Sequence, residues 1–428
     1  MSSNPCRGYA VGSPSIVIAS SLARLGAARR EGAERLSGRR AGPRHYLTSV
    51  TASGPSSVNR LHHAHHRPLP PYGYGIISGM RLLILGGTWF LGRTLAELAL
   101  DGNWEVTTFS RGLHGHDVPG TVPVRGRRDA PDDVARLAAS GRWDVVVDTS
   151  GYAPEAVDLA ARVLRDRASR YVLISTVNAY RGWPTEPLTD ESPIYEDADD
   201  GARPVASAAE VLAPSGIRYG QGKAASERAL IRSFPGHRSL ILRPGVILGP
   251  YEYIGRLPWL LHRMERGGQV LAAGNPSRPI QPVDVRDLSA FVLHAAETAL
   301  SGAMNVTAPL GHATYGELLE SCRDMTGGHA ELVWVADDWL AAQDVTPWSE
   351  IPLWRPTAGA WHVSSQRAWA AGLSCRPLPE TVAGTWDWLR REEPVPHERA
   401  AEIGLDAVKE ERLLAAWREH AASRQGRS

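Results

Sequence analysis

The sequence predicts an α/β protein in which a doubly wound parallel sheet is followed by a smaller, irregular C-terminal substrate domain. From Met80 onward, short runs of β-branched and aliphatic residues alternate with helix-like stretches, as in chains that build a covered parallel sheet. After residue 250 this alternation gives way to Trp- and Pro-rich pieces with shorter helices. The 428 residues are 43% hydrophobic and 22% charged, which suits a globular protein and excludes collagen-like, coiled-coil and wholly disordered classes.

Each strand of the predicted sheet is a short apolar run. The first strand, residues 82–85, leads through a glycine-rich loop into a helix at 93–100. Uninterrupted aliphatic and β-branched runs are typical of strands buried on both faces. Five further strands are predicted at residues 105–109, 122–124, 144–147, 171–174 and 239–242, and a charged helix at about 406–420.

The chain is predicted to divide into four segments. Residues 80–248 form a nucleotide-binding domain, 249–391 a substrate-binding part with elements that return to the first domain, and 392–428 a peripheral helical tail. Residues 1–79 are rich in Arg, Ser, Gly and Pro, so we expect a disordered or non-native extension there. We interpret it either as an Arg-rich targeting peptide or as sequence upstream of a true start at Met80, and favour the second.

Charge, cysteine content and hydropathy exclude several classes of protein. Residues 1–79 hold ten arginines against Glu31 and Glu34, so a chain of net charge +1 carries −7 over residues 80–428. An acidic body argues against a general nucleic-acid binder. The three cysteines lack CxxC spacing and predict a cytoplasmic protein without disulfides, and the apolar runs are too short to predict a membrane span. Lys223 and Lys409 are the only lysines.

A glycine-rich loop joins the first strand to the first helix and is the candidate cofactor site. Glycines let backbone N–H groups and the helix N-terminus approach a pyrophosphate, and the flanking strand and helix are the context that the motif requires. A plain tight turn is the alternative. Trp89 stands where a glycine is usual, so its side chain must point away from the phosphates or narrow the pocket. The loop consists of Gly86, Gly87, Thr88, Trp89, Phe90, Leu91 and Gly92.

The end of the second strand predicts which cofactor is bound. An NAD site would offer an acid to the ribose 2′-hydroxyl, but this chain has Ser110 and Arg111 there. A hydroxyl and a guanidinium suit a 2′-phosphate, which favours NADP, with NAD as the alternative and Arg93 as a second candidate contact. Either arginine could instead be a solvated surface charge.

A tyrosine, a lysine and a threonine form the candidate catalytic set. Tyr219 and Lys223 are four residues apart in a stretch predicted to be helical, so they share one face, and an ammonium near a phenol favours the phenolate. The pair can therefore act as a general base. Thr176 follows the fifth strand, at the edge where ligands bind in such sheets. The structural alternatives are a tyrosine packed along a lysine stem and an ordinary strand-end cap.

Residues 80–391 resemble the extended and atypical short-chain dehydrogenase/reductase family, the NAD(P)-dependent sugar epimerases and dehydratases with a Rossmann-type fold. The motifs are together specific for the fold and superfamily, and much less so for the substrate. They occur in the family's order, namely the glycine-rich loop, Ser175-Thr176 to Tyr180, Tyr219-xxx-Lys223-xxx-Glu227, Leu242-Arg243-Pro244 leading to Gly249-Pro250, and Val283-Asp284-Val285-Arg286-Asp287-Leu288.

The resemblance implies a role for each member of the catalytic set. Tyr219 is implied to be the acid/base, Lys223 to lower its pKa and hold the nicotinamide ribose, and Thr176 to complete the triad, with hydride moving between substrate carbon and nicotinamide C4. Besides Trp89, two features depart from the family. The run 148–151 (DTSG) is unusual, and the long spacing from Thr176 to Tyr219 is interpreted as an inserted loop near the site or a surface excursion.

The substrate side is less informative. Arg256, Arg278 and Arg286 could reach an anionic group, and Arg278 lies where family members often bind a nucleotide phosphate, but structural roles remain open for each. His262 and His362 lack companions at metal-ligand spacing, so no metal site is expected. Five tryptophans could line an aromatic pocket or simply pack, namely Trp259, Trp334, Trp348, Trp354 and Trp361.

The favoured function is an NAD(P)-dependent epimerase, dehydratase or reductase acting on a nucleotide-sugar-like or other hydroxyl- or carbonyl-bearing small molecule. No nucleic-acid or membrane partner is expected, and a homodimer is left open. The alternative is a non-catalytic regulatory or RNA-binding protein that keeps the fold, as regulatory sensors and chloroplast stem-loop RNA-binding relatives do. A reductase of a secondary metabolite is a third option.

Overall fold

The computed structural model describes residues 79–113, 115–196, 217–395 and 397–425. All of them belong to the second of two compact units, residues 68–428. The predicted N-terminal extension, apart from Gly79, lies outside the described residues, and so do residues 197–216 of the predicted inserted loop.

Thirteen strands are described, and seven of them form one parallel sheet in the order β11-β6-β5-β4-β1-β2-β3. The chain moves outward from β1 to β3 and resumes at β4 on the other side of β1. Open α/β sheets bind ligands at the carboxyl edge where the order reverses, here between β1 and β4. The strands are β1 (Arg81–Leu85), β2 (Glu105–Ser110), β3 (Val122–Arg125), β4 (Trp143–Asp148), β5 (Ala168–Ile174), β6 (Ser239–Pro244), β7 (Ile247–Leu248), β8 (Gly268–Ala273), β9 (Pro279–Ile280), β10 (Val283–Asp284), β11 (Gly302–Val306), β12 (Ala313–Thr314) and β13 (Ala330–Val335).

Helices cover both faces of the sheet, which confirms the doubly wound class. Successive side chains of β1 point to opposite faces, so Leu82 and Ile84 pack with α1 and α6 while Leu83 and Leu85 pack with α2, α3 and α4. All four leucine and isoleucine side chains are buried, as their uninterrupted apolar run predicts. The helices are α1 (Phe90–Asp101), α2 (Pro131–Ser140), α3 (Pro154–Leu164), α4 (Ile217–Ser233), α5 (Arg256–Glu265), α6 (Val285–Glu297), α7 (Tyr315–Met325), α8 (Asp337–Ala342), α9 (Gln366–Ala370), α10 (Leu378–Leu389) and α11 (Ala407–Gln425).

The seventh strand, β11, was not predicted from the sequence. Its fourth residue, Asn305, is fully buried and interrupts the apolar run. The Asn305 side chain accepts a hydrogen bond from Tyr180 Oη at 2.8 Å and donates one to the Ser364 carbonyl at 2.9 Å. A buried asparagine whose side-chain oxygen and nitrogen are both hydrogen-bonded is compatible with a core strand, although its polarity hides the apolar pattern of the strand.

The C-terminal half builds its own apolar cluster beside the sheet. The parallel pair β8 and β13 packs with α5, α7 and α10, and Trp354 and Trp361 are buried among them. The charged helix predicted at 406–420 is α11, whose Leu413 and Leu414 join this cluster. None of the helices in the described parts of the chain is long and apolar enough to cross a membrane.

Candidate active site

The glycine-rich loop, called here the phosphate loop (residues 86–92), turns sharply from β1 into α1. Gly86 has a φ of +94°, and a Cβ there would lie 2.9 Å from Thr149 Oγ1. A Cβ added at Gly92 would overlap the carbonyl oxygen of Gly86. The two glycines therefore let the N-terminus of α1 close onto the end of β1, which forms the backbone cradle that a pyrophosphate needs.

Trp89, the residue immediately before α1, is held in an aromatic cluster with residues of the C-terminal half. Its ring stacks on Tyr253 with centroids 5.2 Å apart and lies edge-on to His397 at 5.0 Å. Tyr253 in turn contacts Phe90 edge-to-face at 6.2 Å. The bulky residue in the glycine position thus packs against distant parts of the chain and ties the phosphate loop to the segment around residue 397.

The end of β2 carries the residues predicted to determine whether NADP or NAD is preferred. Ser110 Oγ accepts a hydrogen bond from Arg125 Nη1 at 3.1 Å, and Arg125 is the register partner of Ser110 on β3. Arg125 also binds Asp117, while Arg111 is exposed. Sequence reasoning missed Arg125, although its position at the carboxyl end of the neighbouring strand was a usable signal.

Arg93, the second candidate contact for a 2′-phosphate, is engaged elsewhere. Its guanidinium pairs with Glu97 at 3.0 Å and with Glu392 at 3.2 Å, and it lies 3.8 Å from the centre of the Tyr251 ring. These contacts join α1 to the segment after α10.

The unusual run at the end of β4 contains a buried ion pair. Asp148 is fully buried and receives two hydrogen bonds from Arg128, both at 2.7 Å, and one from Tyr171 Oη at 2.8 Å. Burial alone would raise the pKa of Asp148, but the charge and hydrogen bonds of Arg128, with the bond from Tyr171, hold that pKa below its usual value. The ionised pair fixes the start of the loop 149–151, which hydrogen-bonds to Gly86 of the phosphate loop and to Lys223.

Lys223 is buried at the carboxyl edge of the sheet. Its Nζ donates to the carbonyls of Gly151 at 3.1 Å and Ile174 at 2.6 Å, and it lies 5.3 Å from the centre of the Tyr152 ring. Burial, which outweighs the opposing charges of Asp148 and Glu227, lowers the pKa of Lys223 to about 8. The loop after β4 and the last residue of β5 therefore hold the ammonium in a fixed place.

Tyr219 and Lys223 both lie on α4, as predicted, and both approach Tyr152. The Tyr219 and Tyr152 rings are 6.4 Å apart between centroids. At Gly220, a Cβ would overlap the carbonyl oxygen of Asn178, so this glycine lets α4 press against the short 3₁₀ turn that follows Thr176. Thr176 Oγ1 donates to Asn178 Oδ1 at 3.1 Å. The three residues of the candidate catalytic set thus lie on two elements in direct contact.

A buried polar network under α4 was not assigned a role from the sequence. Glu227, one turn after Lys223, accepts hydrogen bonds from Ser175 and Arg243, the latter from Nη2 at 2.6 Å. Arg243 Nη1 also donates to Tyr180 Oη at 2.9 Å. The network ties α4 to β5, β6 and the turn after Thr176, so it fixes the helix that carries Tyr219 and Lys223.

The three arginines considered for the substrate are each paired with an acid in the chain. Arg278 pairs with Asp337, and Arg286 Nη2 pairs with Asp284 at 2.7 Å. Arg256 is buried, 3.7 Å from Glu252 and 4.3 Å from the centre of the Trp348 ring. Arg256 also lies near a second arginine, Arg355, which the sequence did not single out.

Arg355 lies between two indole rings. Its guanidinium carbon is 4.4 Å from the centre of Trp183 and 4.0 Å from that of Trp348. Within the described residues no carboxylate pairs with it, and the buried Nε of Arg355 and Nε1 of Trp183 have no hydrogen-bond acceptor. Burial and then the nearby Arg256 lower the pKa of Arg355, which as a guanidinium still stays charged at neutral pH. The Arg355 guanidinium and the Trp183 indole thus offer positive charge and N–H donors, two of which have no acceptor among the described residues.

Among the described residues, no group of three or more His, Cys, Asp or Glu side chains could hold a metal ion. His262 lies 3.4 Å from Glu265 on the same helix.

Comparison with known proteins places these features in a family. The family model of the NAD-dependent epimerase/dehydratase family matches residues 82–307. The chloroplast stem-loop binding protein of 41 kDa b from Arabidopsis thaliana is 23% identical over 278 residues, which cover 61% of this chain and 67% of that protein.

Two solved structures from Bordetella bronchiseptica share the fold. WbmH in complex with NAD⁺ aligns with a TM-score of 0.55 at 18% identity, over 73% of this chain and 99% of that one. WbmG in complex with NAD and UDP aligns with a TM-score of 0.54 at 18% identity, over 73% and 95%. These likenesses confirm the fold that the sequence predicts.

Proposed function

The chain belongs to the NAD-dependent epimerase/dehydratase family, and we propose that it is an NADP-preferring oxidoreductase acting on an anionic small molecule, such as a nucleotide sugar. The observation that carries the proposal is the position of Tyr219 and Lys223 around Tyr152, at the carboxyl edge of the sheet. The loop 149–151 links this place to the phosphate loop, since Thr149 Oγ1 donates to the Gly86 carbonyl at 2.8 Å and Gly151 accepts from Lys223.

The phosphate loop supports the cofactor part of the proposal. The space beside Gly86 and Gly92 that a Cβ would fill fits a pyrophosphate held by backbone amides. Ser110, Arg111 and Arg125 would hold the 2′-phosphate, with Arg125 already oriented by Ser110. The chemistry that such a cofactor would supply is the transfer of a hydride to or from a substrate carbon.

Lys223 and Tyr219 would handle the proton. With its pKa near 8, Lys223 remains mostly charged at neutral pH, and its charge favours the ionised form of a phenol on the same helical face. Tyr219 Oη would then take the proton of a substrate hydroxyl, or return one to a carbonyl in the reverse direction. Thr176 would donate a hydrogen bond to the same substrate oxygen.

Arg355 supports an anionic substrate. A largely buried guanidinium that no carboxylate of the described residues pairs with is unfavourable unless a ligand supplies the missing charge and acceptors. A phosphate or carboxylate of the substrate, bound at Arg355, would supply the charge and the acceptors. That WbmG was solved with UDP supports a nucleoside diphosphate group as one such anion.

The catalytic proposal is tested with Tyr219→Phe, with Tyr152→Phe as the matched control. We expect Tyr219→Phe to bind NADPH normally but to lose about 10²- to 10⁴-fold in hydride transfer over a panel of UDP- and dTDP-sugars, because only the acid/base hydroxyl is removed. The control removes a neighbouring hydroxyl on the same ring type and should keep most activity. Equal activity of Tyr219→Phe and wild type contradicts the mechanism. If no panel sugar is turned over, ultraviolet difference spectra of the NADP⁺ complex recorded across pH make the same test, since Tyr219→Phe should lose a tyrosinate absorbance that Tyr152→Phe keeps.

Cofactor choice is tested by calorimetric titration with NADPH and NADH. Arg125→Ala should weaken NADPH binding at least tenfold and leave NADH binding nearly unchanged, because the guanidinium would meet only the 2′-phosphate. Arg127→Ala, which removes an exposed arginine paired with Asp129, is the control. Tighter binding of NADH than NADPH by the wild type would overturn the NADP preference.

The alternative function is RNA binding, which the chloroplast relative's name suggests. The net charge of −7 over residues 80–428 opposes it, since a phosphate backbone is bound by basic surfaces. We propose a cytoplasmic enzyme with a small-molecule substrate. The test is a gel shift with a stem-loop RNA at physiological salt. Binding of this RNA by the wild type, and equally by Tyr219→Phe, would favour the RNA-binding alternative.

A further inference from the structure

A second cleft opens at the amino edge of the sheet, opposite the candidate active site. Its volume is about 590 Å³, within the range of small-molecule sites. Each of its arginines stands at the amino end of a strand or just before it. Arg81 begins β1, and Arg142, Arg167 and Arg238 lie directly before β4, β5 and β6. Arg165 follows the last residue of α3, three positions before β5.

The topology places these arginines in a row. The strands β6, β5, β4 and β1 are neighbours in that order. At roughly 4.8 Å between adjacent strands, the row is about 15 Å long. A row of guanidinium groups of this length matches a short chain of phosphoryl groups better than a single anion.

The cleft is strongly cationic on an otherwise acidic body. Its arginines face two nearby acids, Asp144, which lies 3.5 Å from Arg81, and Asp166. Arg170, on β5, has its pKa lowered by burial and further by the charge of Arg238. Positive charges are therefore crowded at this edge, whereas residues 80–428 as a whole carry −7.

Capping of backbone carbonyls explains only part of the row. Arg238 donates to the carbonyls of Ser169 at 2.7 Å and Arg165 at 3.0 Å, and Arg142 donates to that of Asp166 at 2.8 Å. Cations at a helix C-terminus, here that of α3, are favoured for this reason. In the described part of the chain, however, the guanidinium groups of Arg165 and Arg167 make no hydrogen bond or ion pair.

We propose that this cleft binds a compact oligophosphate, either inorganic or the phosphate tail of a nucleotide, with Arg165 and Arg167 as its main contacts. Trp143 is the aromatic side chain of the lining, and it is 5% exposed with its Nε1 bonded to Thr107. The cleft thus offers no face on which a base could stack, as nucleic-acid strands require. The site is independent of the phosphate loop and of the proposed reaction.

The test is calorimetric titration of the full chain with inorganic triphosphate at about 0.15 M salt. The variant Arg165→Ala/Arg167→Ala should bind at least tenfold more weakly, because two charge-assisted contacts are lost. The control Arg391→Ala/Arg412→Ala removes the same charge from exposed positions elsewhere and should change affinity less than about twofold. The same titration with adenosine triphosphate distinguishes the two ligand sources. Equal affinity for both compounds indicates that the cleft binds the inorganic chain, and tighter binding of adenosine triphosphate indicates a nucleotide.

Three outcomes overturn the proposal. The wild type does not bind triphosphate under these conditions. The cleft variant binds as well as the wild type, which would assign binding to the phosphate loop or to the basic residues 1–79. A twelve-nucleotide RNA displaces triphosphate from the wild type, and the cleft variant loses more affinity for this RNA than for triphosphate. That result would assign the arginine row to nucleic-acid binding. Failure of the epimerase-type activity leaves all three readouts unchanged.

Discussion

Removing Arg128 should destabilise the protein because it leaves a buried charge without its partner. The Asp148 side chain is fully buried and that of Arg128 is 19% exposed. Breaking a buried ion pair by removing one partner costs about 3–5 kcal/mol, and we expect about 3 kcal/mol for Arg128→Ala, because Lys223 still offers some positive charge to Asp148. The cost should appear in urea unfolding followed by circular dichroism at pH 7.5.

The pH dependence of this cost identifies its origin. In the wild type the pKa of Asp148 lies below its unfolded value, so the pair contributes stability above that value and loses it as the pH falls through the folded pKa. In Arg128→Ala, burial is no longer opposed by the guanidinium, so the pKa of Asp148 rises above its unfolded value. The folded variant therefore takes up a proton on Asp148 at a higher pH than the unfolded variant does. As the pH falls below neutral, the loss of unfolding free energy relative to the wild type becomes smaller.

The neighbouring Arg127→Ala is the control, because the Arg127 side chain is 67% exposed and its loss should leave the urea midpoint nearly unchanged at pH 7.5 and at pH 5. A deficit for Arg128→Ala that stays constant between pH 7.5 and pH 5 would refute the reasoning and assign the loss to packing alone.

Three further predictions concern the residues around the site. Gly92→Ala should abolish NADPH binding and lower stability, because its Cβ would overlap the Gly86 carbonyl. Gly236→Ala is the control, because Gly236 lies in a distant 3₁₀ turn without a positive φ and its Cβ would meet nothing within 4 Å. Lys223→Met should gain stability relative to the wild type most clearly below pH 8, where the folded chain bears the cost of a buried ammonium, and this advantage should decline as the pH rises toward 10.5; a pH-independent difference in urea midpoints would contradict it. Glu227→Gln should cost about 2–4 kcal/mol in the same assay, since the charge of Arg243 loses its buried partner, and an unchanged midpoint would show that the network is not needed.

The features that the sequence predicted are those encoded by neighbouring residues. The phosphate loop and the Tyr219–Lys223 pair each occupy one short segment, so spacing alone indicates their geometry. The pair Arg128–Asp148 joins two strand ends separated by a helix, and the contact of Arg355 with Trp183 joins segments far apart in the chain. Their partners are chosen by the fold, which no local pattern reports. In an arginine-rich chain, the sequence also does not distinguish a functional arginine from a surface one, because burial and hydrogen-bond partners come only from the structure.

The two lysines give the protein a simple chemical asymmetry. Lys409 is 23% exposed and pairs with Glu350, whereas Lys223 is 3% exposed. Amine-directed reagents should therefore modify Lys409 readily, and Lys223 only when the loop after β4 or the end of β5 moves away from it. Because burial is what lowers the pKa of Lys223 to about 8, an opened site returns this amine to the reactivity of an ordinary lysine. Its labelling rate, read by mass spectrometry against Lys409 as an internal standard, would report how often the site opens, without knowledge of the substrate.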